Sequence, residues 1–436
     1  MEEFKKALII TYYWPPSGGS GVQRWLKFTK YLRNFNWEPV IYTPENPEVP
    51  VEDSSLLKDI PEGITVLKKK IWEPYSFYKR FLGQKGEDRI QTGFLTEKKK
   101  PKRKEKISVW IRGNLFIPDA RKFWIRPSVK YLTTYLKSNP VDIIISTGPP
   151  HSMHLIARKL KKKLNIPWLA DFRDPWTNID FYKDLKLTRW ADKQHHKFER
   201  TVLNQANLVT TVSWNWANEF RDLGTENIEV ITNGYDPDDF KGLKIKPDKE
   251  FVITHIGSMN KDRNPVTFWK VLANICINND EFRHNLVIRL IGDVDISVWE
   301  NIKEFNLNEN VKHISYINHP EVIKYIKRSQ ILLLPLNNTP NVSGIIPGKL
   351  FEYLATKRFI LVIGPTDGDT AQIINETNSG KVFGFENFSG IKNNILALYH
   401  DYKKGELKSN AGDVSRYSRK NLTGELVELL NGSIKK

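Results

Sequence analysis

Short apolar runs alternate with longer stretches of helical periodicity along nearly the whole chain. That alternation restricts the fold to α/β, with parallel strands covered by helices on both faces. The runs Ala7–Tyr12, Glu38–Tyr42, Val141–Ser146, Trp168–Asp171, Leu208–Val212 and Ile228–Ile231 read as strands of a first half. Helical patterns lie between them at Gly21–Asn34, Ser152–Leu164 and Thr188–Gln205. A second series follows, with strands at Phe251–Ile256, Leu286–Ile291, Val311–Ile314, Ile331–Leu334 and Phe359–Ile363. Its helices fit Val266–Asn278, Val298–Phe305, Pro320–Arg328 and Gly348–Thr356. Each half reads as its own doubly wound sheet.

The polar stretch Pro237–Lys249, with proline near both ends, separates the halves as a linker. The expected domains are residues 1–240 and 249–412, with a terminal helix in 413–436 returning towards the first. Residues 52–127 break the alternation and read as an insertion. The insertion carries Lys98-Lys99-Lys100-Pro-Lys102-Arg103-Lys104, followed by Trp110, Phe116, Phe123 and Trp124.

Charge narrows the partners. Lys and Arg number 67 against 50 Asp and Glu, a net charge of +17 in 436 residues. Such an excess points to an anionic partner: a nucleotide phosphate, a lipid headgroup or a nucleic acid. The single cysteine, Cys276, excludes a disulfide framework and a cysteine-based zinc site. No apolar run approaches the roughly 18 residues that cross a bilayer. The first residues lack the apolar core of a secretion signal, so a cytoplasmic protein is expected. Nucleic acid is not the expected partner, because the basic run sits in one insertion without a recognisable nucleic-acid motif.

The candidate chemistry lies where strands end. Gly18, Gly19 and Gly21 follow the first strand and open a helix. Glycines there let backbone approach a phosphate or sugar, and the helix end offers free N–H groups. Gly257, Ser258 and Arg263 follow the first strand of the second half, again at a carboxyl edge. Lys349 and Glu352, three residues apart, share one face of a helix start. Lysine there can meet a diphosphate and glutamate a ribose diol; the alternative is a surface ion pair. Asp171, Arg173 and Asp174 fall within four residues, either as a structural network or facing a polar substrate. His151 and His154 follow another strand, and His151 is the better candidate for a cleft. His195 and His196 read as surface residues, and Asp293-Val-Asp295 as a polar turn rather than a metal site.

In order and spacing these motifs resemble the GT-B-fold glycosyltransferases. The signature is the Gly-rich first loop after Pro15-Pro16, Asn233-Gly-Tyr-Asp236, Gly257-Ser258 with Arg263-Asn-Pro265, and Pro347-x-Lys349-x-x-Glu352-Tyr-Leu-Ala355. The subgroup it resembles is the retaining family 4 type of bacterial polysaccharide and lipopolysaccharide assembly. The resemblance implies two Rossmann-like domains facing a cleft. A UDP- or GDP-linked sugar would be held mainly by the second domain, and a glycan or lipid-linked acceptor by the first.

By resemblance, Glu352 would bind the ribose and Arg263 the diphosphate, with Gly257, Ser258 and Lys349 beside them. Gly18 and Gly19 would approach the diphosphate or sugar, and His151 would face the sugar. His151, Asp171 and Asp174 are the catalytic candidates. No metal or other cofactor is expected: fixed cations would stabilise the leaving diphosphate. The family's first acidic residue, eight before Glu352, is Gly344 here. That substitution keeps open a non-catalytic nucleotide- or glycan-binding scaffold, and an epimerase of the same fold. Lys98, Lys99, Lys100, Lys102, Arg103, Lys104 and Trp110 are expected to contact an anionic membrane surface, with the protein peripheral on its inner face.

Overall fold

The computed structural model describes residues 4–49, 51–73, 103–180, 182–315, 317–407 and 411–434. They form two compact units, Met1–Thr232 with Arg419–Lys436, and Asn233–Ser418. Lys98, Lys99, Lys100 and Lys102 lie outside the described residues, while Arg103 and Lys104 open the helix Arg103–Leu115.

The first unit is built on seven parallel strands. They are β1 (Lys5–Ile10), β2 (Trp37–Pro44), β3 (Thr65–Lys69), β4 (Ile143–Gly148), β5 (Trp168–Phe172), β6 (Leu208–Thr211) and β7 (Ile228–Val230). Their spatial order is β3-β2-β1-β4-β5-β6-β7. Ile9 lies opposite Ile41 on one side and Ile145 on the other, so the centre of the sheet is a continuous aliphatic layer. Helices Ser20–Leu32, Lys122–Ser138, Ser152–Leu164, Arg189–Gln205 and Trp214–Asp222 accompany it. Thr188 and Ser213 cap two of these by accepting from the backbone N–H of Ala191 and Trp216. Asn165, in the left-handed region at φ 57°, ends another. The terminal helix Arg419–Ile434 contributes Leu422, Leu426 and Leu430 to the same core as Trp25 and Phe28.

The second unit has six parallel strands: β8 (Phe251–Ile256), β9 (Leu286–Ile291), β10 (Val311–Ile314), β11 (Ile331–Pro335), β12 (Phe359–Ile363) and β13 (Gly380–Phe383). Their order is β10-β9-β8-β11-β12-β13. Its core gathers Phe251, Phe268, Trp269, Leu272, Ile288, Leu333 and Leu361.

Both sheets reverse their winding in the middle, between β1 and β4 in the first and between β8 and β11 in the second. Doubly wound sheets bind ligands at the carboxyl ends of the strands flanking such a reversal, because the adjoining loops splay apart there. The Gly18–Gly19 loop and the His151 loop follow β1 and β4. The Gly257–Arg263 loop and the segment leading to Lys349 follow β8 and β11.

Strands β3 and β13 and several helices, among them Lys122–Ser138 and Phe388–Lys403, escape the sequence reading. Edge strands β3 and β13 are only partly buried, so neither carries a continuous apolar run. Helix Lys122–Ser138 runs through Pro127, a residue that normally ends a helix. Burial of Trp124, Ile125, Val129, Leu132 and Leu136 outweighs that penalty. The insertion is accordingly narrower than 52–127, since β3 belongs to the sheet and this helix packs on it. Trp124 is not a surface aromatic: it is 1% exposed and stacks on Tyr42 at 4.8 Å. Among the described residues no helix is long and apolar enough to cross a membrane.

Candidate functional site

In the second unit the site begins with a backbone crossing. Gly257 and Gly292 both have positive φ, 82° and 119°. A Cβ on Gly292 would lie 2.9 Å from the Gly257 carbonyl carbon and oxygen, so only glycine allows the two turns to touch. Lys349, the first residue of helix Lys349–Thr356, lays its ammonium over this turn. It donates to the Ile256 carbonyl oxygen, and its Nζ sits 3.3 Å from His255 Nε2.

His255 completes the arrangement. Its Nδ1 lies 3.1 Å from the Leu333 carbonyl, which can only accept, so Nδ1 carries the proton. The Nε2 lone pair therefore faces the lysine. Burial, then the neighbouring Lys349 charge, pushes His255 well below the usual histidine range. Burial and the Arg263 charge likewise push Lys349 well below the usual lysine range.

Arg263 is fixed by its own turn. Asn260 accepts from the Arg263 backbone N–H, and the guanidinium donates through Nε to Asn337 Oδ1 and through Nη1 to the Ser258 carbonyl, both at 2.9 Å. A 170 Å³ cavity beside Arg263 is lined by Asn264, Pro335, Asn338, Ile363 and Phe385, among others. Lys349 and Glu352 do not pair with each other, which removes the surface ion-pair alternative. Lys349 turns to the glycine crossing, while Glu352 Oε1 meets His319 Nε2 at 2.9 Å. Gly344 is buried in a short 3-10 turn ahead of this helix. Asp295 caps helix Ile296–Glu304, as a polar turn would.

The result is two basic side chains held beside an exposed glycine turn, bonded among others to the Ile256 and Ser258 carbonyls and to Asn337 Oδ1. Such an arrangement suits a ligand with adjacent negative charges, because its charge is met by fixed donors rather than by mobile water.

In the first unit, Gly18 is buried and donates its N–H to the Val51 carbonyl at 2.8 Å. Gly19, at φ 87°, is exposed and caps helix Ser20–Leu32 without a side chain, leaving the helix end open. Arg173 ties this loop to the next one. Its guanidinium donates to the carbonyls of Gly21, Gly148 and Pro149, and thus holds the start of the helix against the His151 loop.

Asp171 is a correction. It was a catalytic candidate, but it is fully buried and saturated by protein donors: Arg24, Trp25 Nε1, Thr147 Oγ1 and Thr210 Oγ1. Arg24 also donates to the carbonyls of Ile231 and Thr232, at the end of the unit. Burial alone would raise the Asp171 carboxyl, but the Arg24 charge and these hydrogen bonds more than offset it and hold it below the ordinary range. Asp174, by contrast, is exposed.

His151 is buried and stacks flat on Trp176, at 4.4 Å and 5°. His195 is a second correction. It is buried rather than on the surface, accepting from Trp176 Nε1 and donating to the Gly113 carbonyl. Helical spacing from buried Ala191 to buried Glu199 would have exposed that face. His255, Asn337, His319 and Arg24 went unread as well. A histidine inside the fully buried strand Phe251–Ile256 was the available signal for the first of them.

The sequence matches two family models: Glycosyltransferase Family 4 over residues 87–239 and Glycosyl transferases group 1 over residues 237–414. No curated protein matches it. Among solved structures, sucrose-phosphate synthase from Thermosynechococcus elongatus is similar at TM-score 0.61 and 13% identity, covering 98% of both chains. Anabaena HepE, solved with UDP-glucose, gives 0.61 and 12% over 98% of this chain and 99% of that one. TarM from S. aureus, solved as a mutant with UDP and two sugar ligands, gives 0.59 and 12% over 98% and 100%. These likenesses bear on the fold. The family matches run together from residue 87 to residue 414, and the chain belongs to the GT-B-fold glycosyltransferases of the family 4 type.

Proposed function

We propose that the chain transfers a sugar, with retention, from a UDP- or GDP-linked donor to a glycan or lipid-linked acceptor in cell-surface polysaccharide assembly. The observation that carries the donor reading is the pair Arg263 and Lys349 beside the Gly257–Gly292 crossing. In this reading the two cations meet the diphosphate, and Gly257 and Ser258 let it approach. Glu352 exchanges His319 for the ribose diol. HepE with UDP-glucose and TarM with UDP share the fold and support a nucleoside diphosphate as the leaving group.

The first unit then receives the acceptor, with His151 and Asp174 as the contacts, while Gly18 and Gly19 keep the donor-side role that the resemblance implies. Fixed cations neutralise the departing diphosphate, so the proposed reaction needs no metal. Retention follows if the leaving phosphate itself takes the acceptor proton on the face it departs from. Incubation with UDP-glucose, UDP-N-acetylglucosamine and GDP-mannose and a panel of lipid-linked sugars tests this, read by the anomeric configuration of the product. An inverted product overturns the retaining mechanism, and free sugar without transfer favours an epimerase or hydrolase.

The membrane reading rests on exposed aromatic side chains among the described residues. Trp72 and Phe123 are 54% and 43% exposed, and their rings meet edge to face at 5.0 Å. Lys122 holds its ammonium over the rings of Phe116 and Phe123. Trp110 and Leu115 are exposed on helix Arg103–Leu115. A cationic, aromatic surface of this kind suits anionic headgroups, each basic residue contributing about 1 kcal/mol near the surface. Changing the basic residues of 98–104 to Gln and Ser is expected to weaken binding to phosphatidylserine vesicles in flotation by at least tenfold. Unchanged flotation contradicts the reading.

A further inference from the structure

Two imidazole nitrogens are sealed in the first unit without a protein partner: His151 Nδ1 and His154 Nε2. They converge on one point. A Cβ on Gly148 would lie 3.0 Å from the first and 2.5 Å from the second, so the missing side chain of Gly148 leaves the space they share. His151 is 7% exposed and His154 fully buried.

The other side of His154 fixes its proton. Trp168 Nε1 can only donate, and does so to Ser146 Oγ at 2.8 Å. Ser146 Oγ lies 2.8 Å from His154 Nδ1. Ser146 is fully buried, and among the described residues this nitrogen is the acceptor its hydroxyl proton reaches. His154 Nδ1 therefore accepts, and the ring proton sits on Nε2, aimed at the point shared with His151. Both rings are held neutral by burial: His154 stays uncharged down to about 3, and His151 is pushed down in the same direction. A sealed N–H donor facing a sealed nitrogen across a polar gap calls for one bridging acceptor–donor, and a water molecule has that chemistry.

We propose that His154 is a positioning residue: its Nε2–H, set by Trp168 and Ser146, holds a water that donates to His151 Nδ1 and leaves the His151 proton on Nε2. The His151 Nε2 is not sealed in this way. His151 then presents an N–H donor, not a base, to whatever the site holds. In the proposed transferase this makes His151 a hydrogen-bond donor to a sugar hydroxyl and not the group that deprotonates the acceptor. That consequence rests on the sugar-facing reading of His151; the tautomer does not.

The test uses the full chain labelled with [15N]histidine at neutral pH and without ligand, since protonated and bare ring nitrogens differ widely in 15N shift. Signals are assigned by their loss in His151→Gln and His154→Gln. The expected result is His151 protonated on Nε2 in the parent protein. His154→Gln, which keeps an N–H donor near the same place, is expected to preserve that state. His154→Phe and Ser146→Ala are expected to turn His151 into a mixture of tautomers. Should His154→Phe fail to fold, Ser146→Ala carries the test alone. A His151 protonated on Nδ1, or one unchanged by Ser146→Ala, overturns the proposal. The sugar contact fails separately, if His151→Ala leaves turnover of the donor unchanged.

Discussion

Asp171→Ala is expected to destabilise the first unit by about 3–5 kcal/mol, the usual consequence of removing one partner of a buried ion pair. The substitution leaves Arg24 charged at 1% exposure, and it strips acceptors from Trp25, Thr147 and Thr210. In a unit of this size that corresponds to a melting shift of roughly 6–20 °C. Replacing both partners, Arg24→Met with Asp171→Leu, is expected to recover much of the loss, because no unpaired charge then remains. The pH dependence has a definite sign. The Asp171 carboxyl is held below its ordinary range, so its contribution is complete above that range. It is lost as pH falls through the depressed value. Thermal melts of the single and double variants between neutral and acid pH check this. A direct catalytic role for Asp171 predicts the reverse: an unchanged melt with lost turnover.

Lys349→Met and Arg263→Met are each expected to weaken nucleoside diphosphate binding by about 10- to 150-fold, from roughly 1.5–3 kcal/mol per charge-assisted hydrogen bond. The double variant should lose less than the product of the two, since both cations meet one ligand. Lys349 adds a pH signature. Its ammonium is pushed well below the usual lysine range by burial and by Arg263. Affinity is therefore expected to fall as pH rises through that lowered value, earlier than an ordinary lysine would allow, and the slope should vanish in Lys349→Met. Calorimetric titration with UDP and with GDP from acid to alkaline pH measures both effects.

Much of the architecture was legible because parallel strands buried on both faces are written as largely apolar runs. Phe251–Ile256, Leu286–Ile291 and Phe359–Ile363 coincide with the observed strands, and Ser152–Leu164 with its helix. Edge strands Thr65–Lys69 and Gly380–Phe383 were not legible, whereas the edges Ile228–Val230 and Val311–Ile314, themselves only partly buried, were. The candidate loops were singled out for a physical reason as well: doubly wound sheets bind ligands at the carboxyl ends of their strands.

What those loops contain depended on contacts the sequence does not record. Asp171 and Asp174 are equivalent in a linear reading. Only the side chains of Arg24, Trp25, Thr147 and Thr210 around Asp171 separate the structural acid from the exposed one. Likewise Lys349 and Glu352 share a helix face, yet one turns to Ile256 and the other to His319.

The most direct test of the account is a melting panel of UDP, GDP, ADP, CMP and dTDP, without added metal, on the parent protein, Arg263→Ala and Glu352→Ala. A ligand at 100 times its dissociation constant adds about 2.7 kcal/mol to the native state. One diphosphate is expected to raise the melting temperature of the parent protein, with the shift abolished in Arg263→Ala and reduced in Glu352→Ala. No shift with any nucleotide, or a shift indifferent to both substitutions, contradicts a donor site at the Gly257–Gly292 crossing.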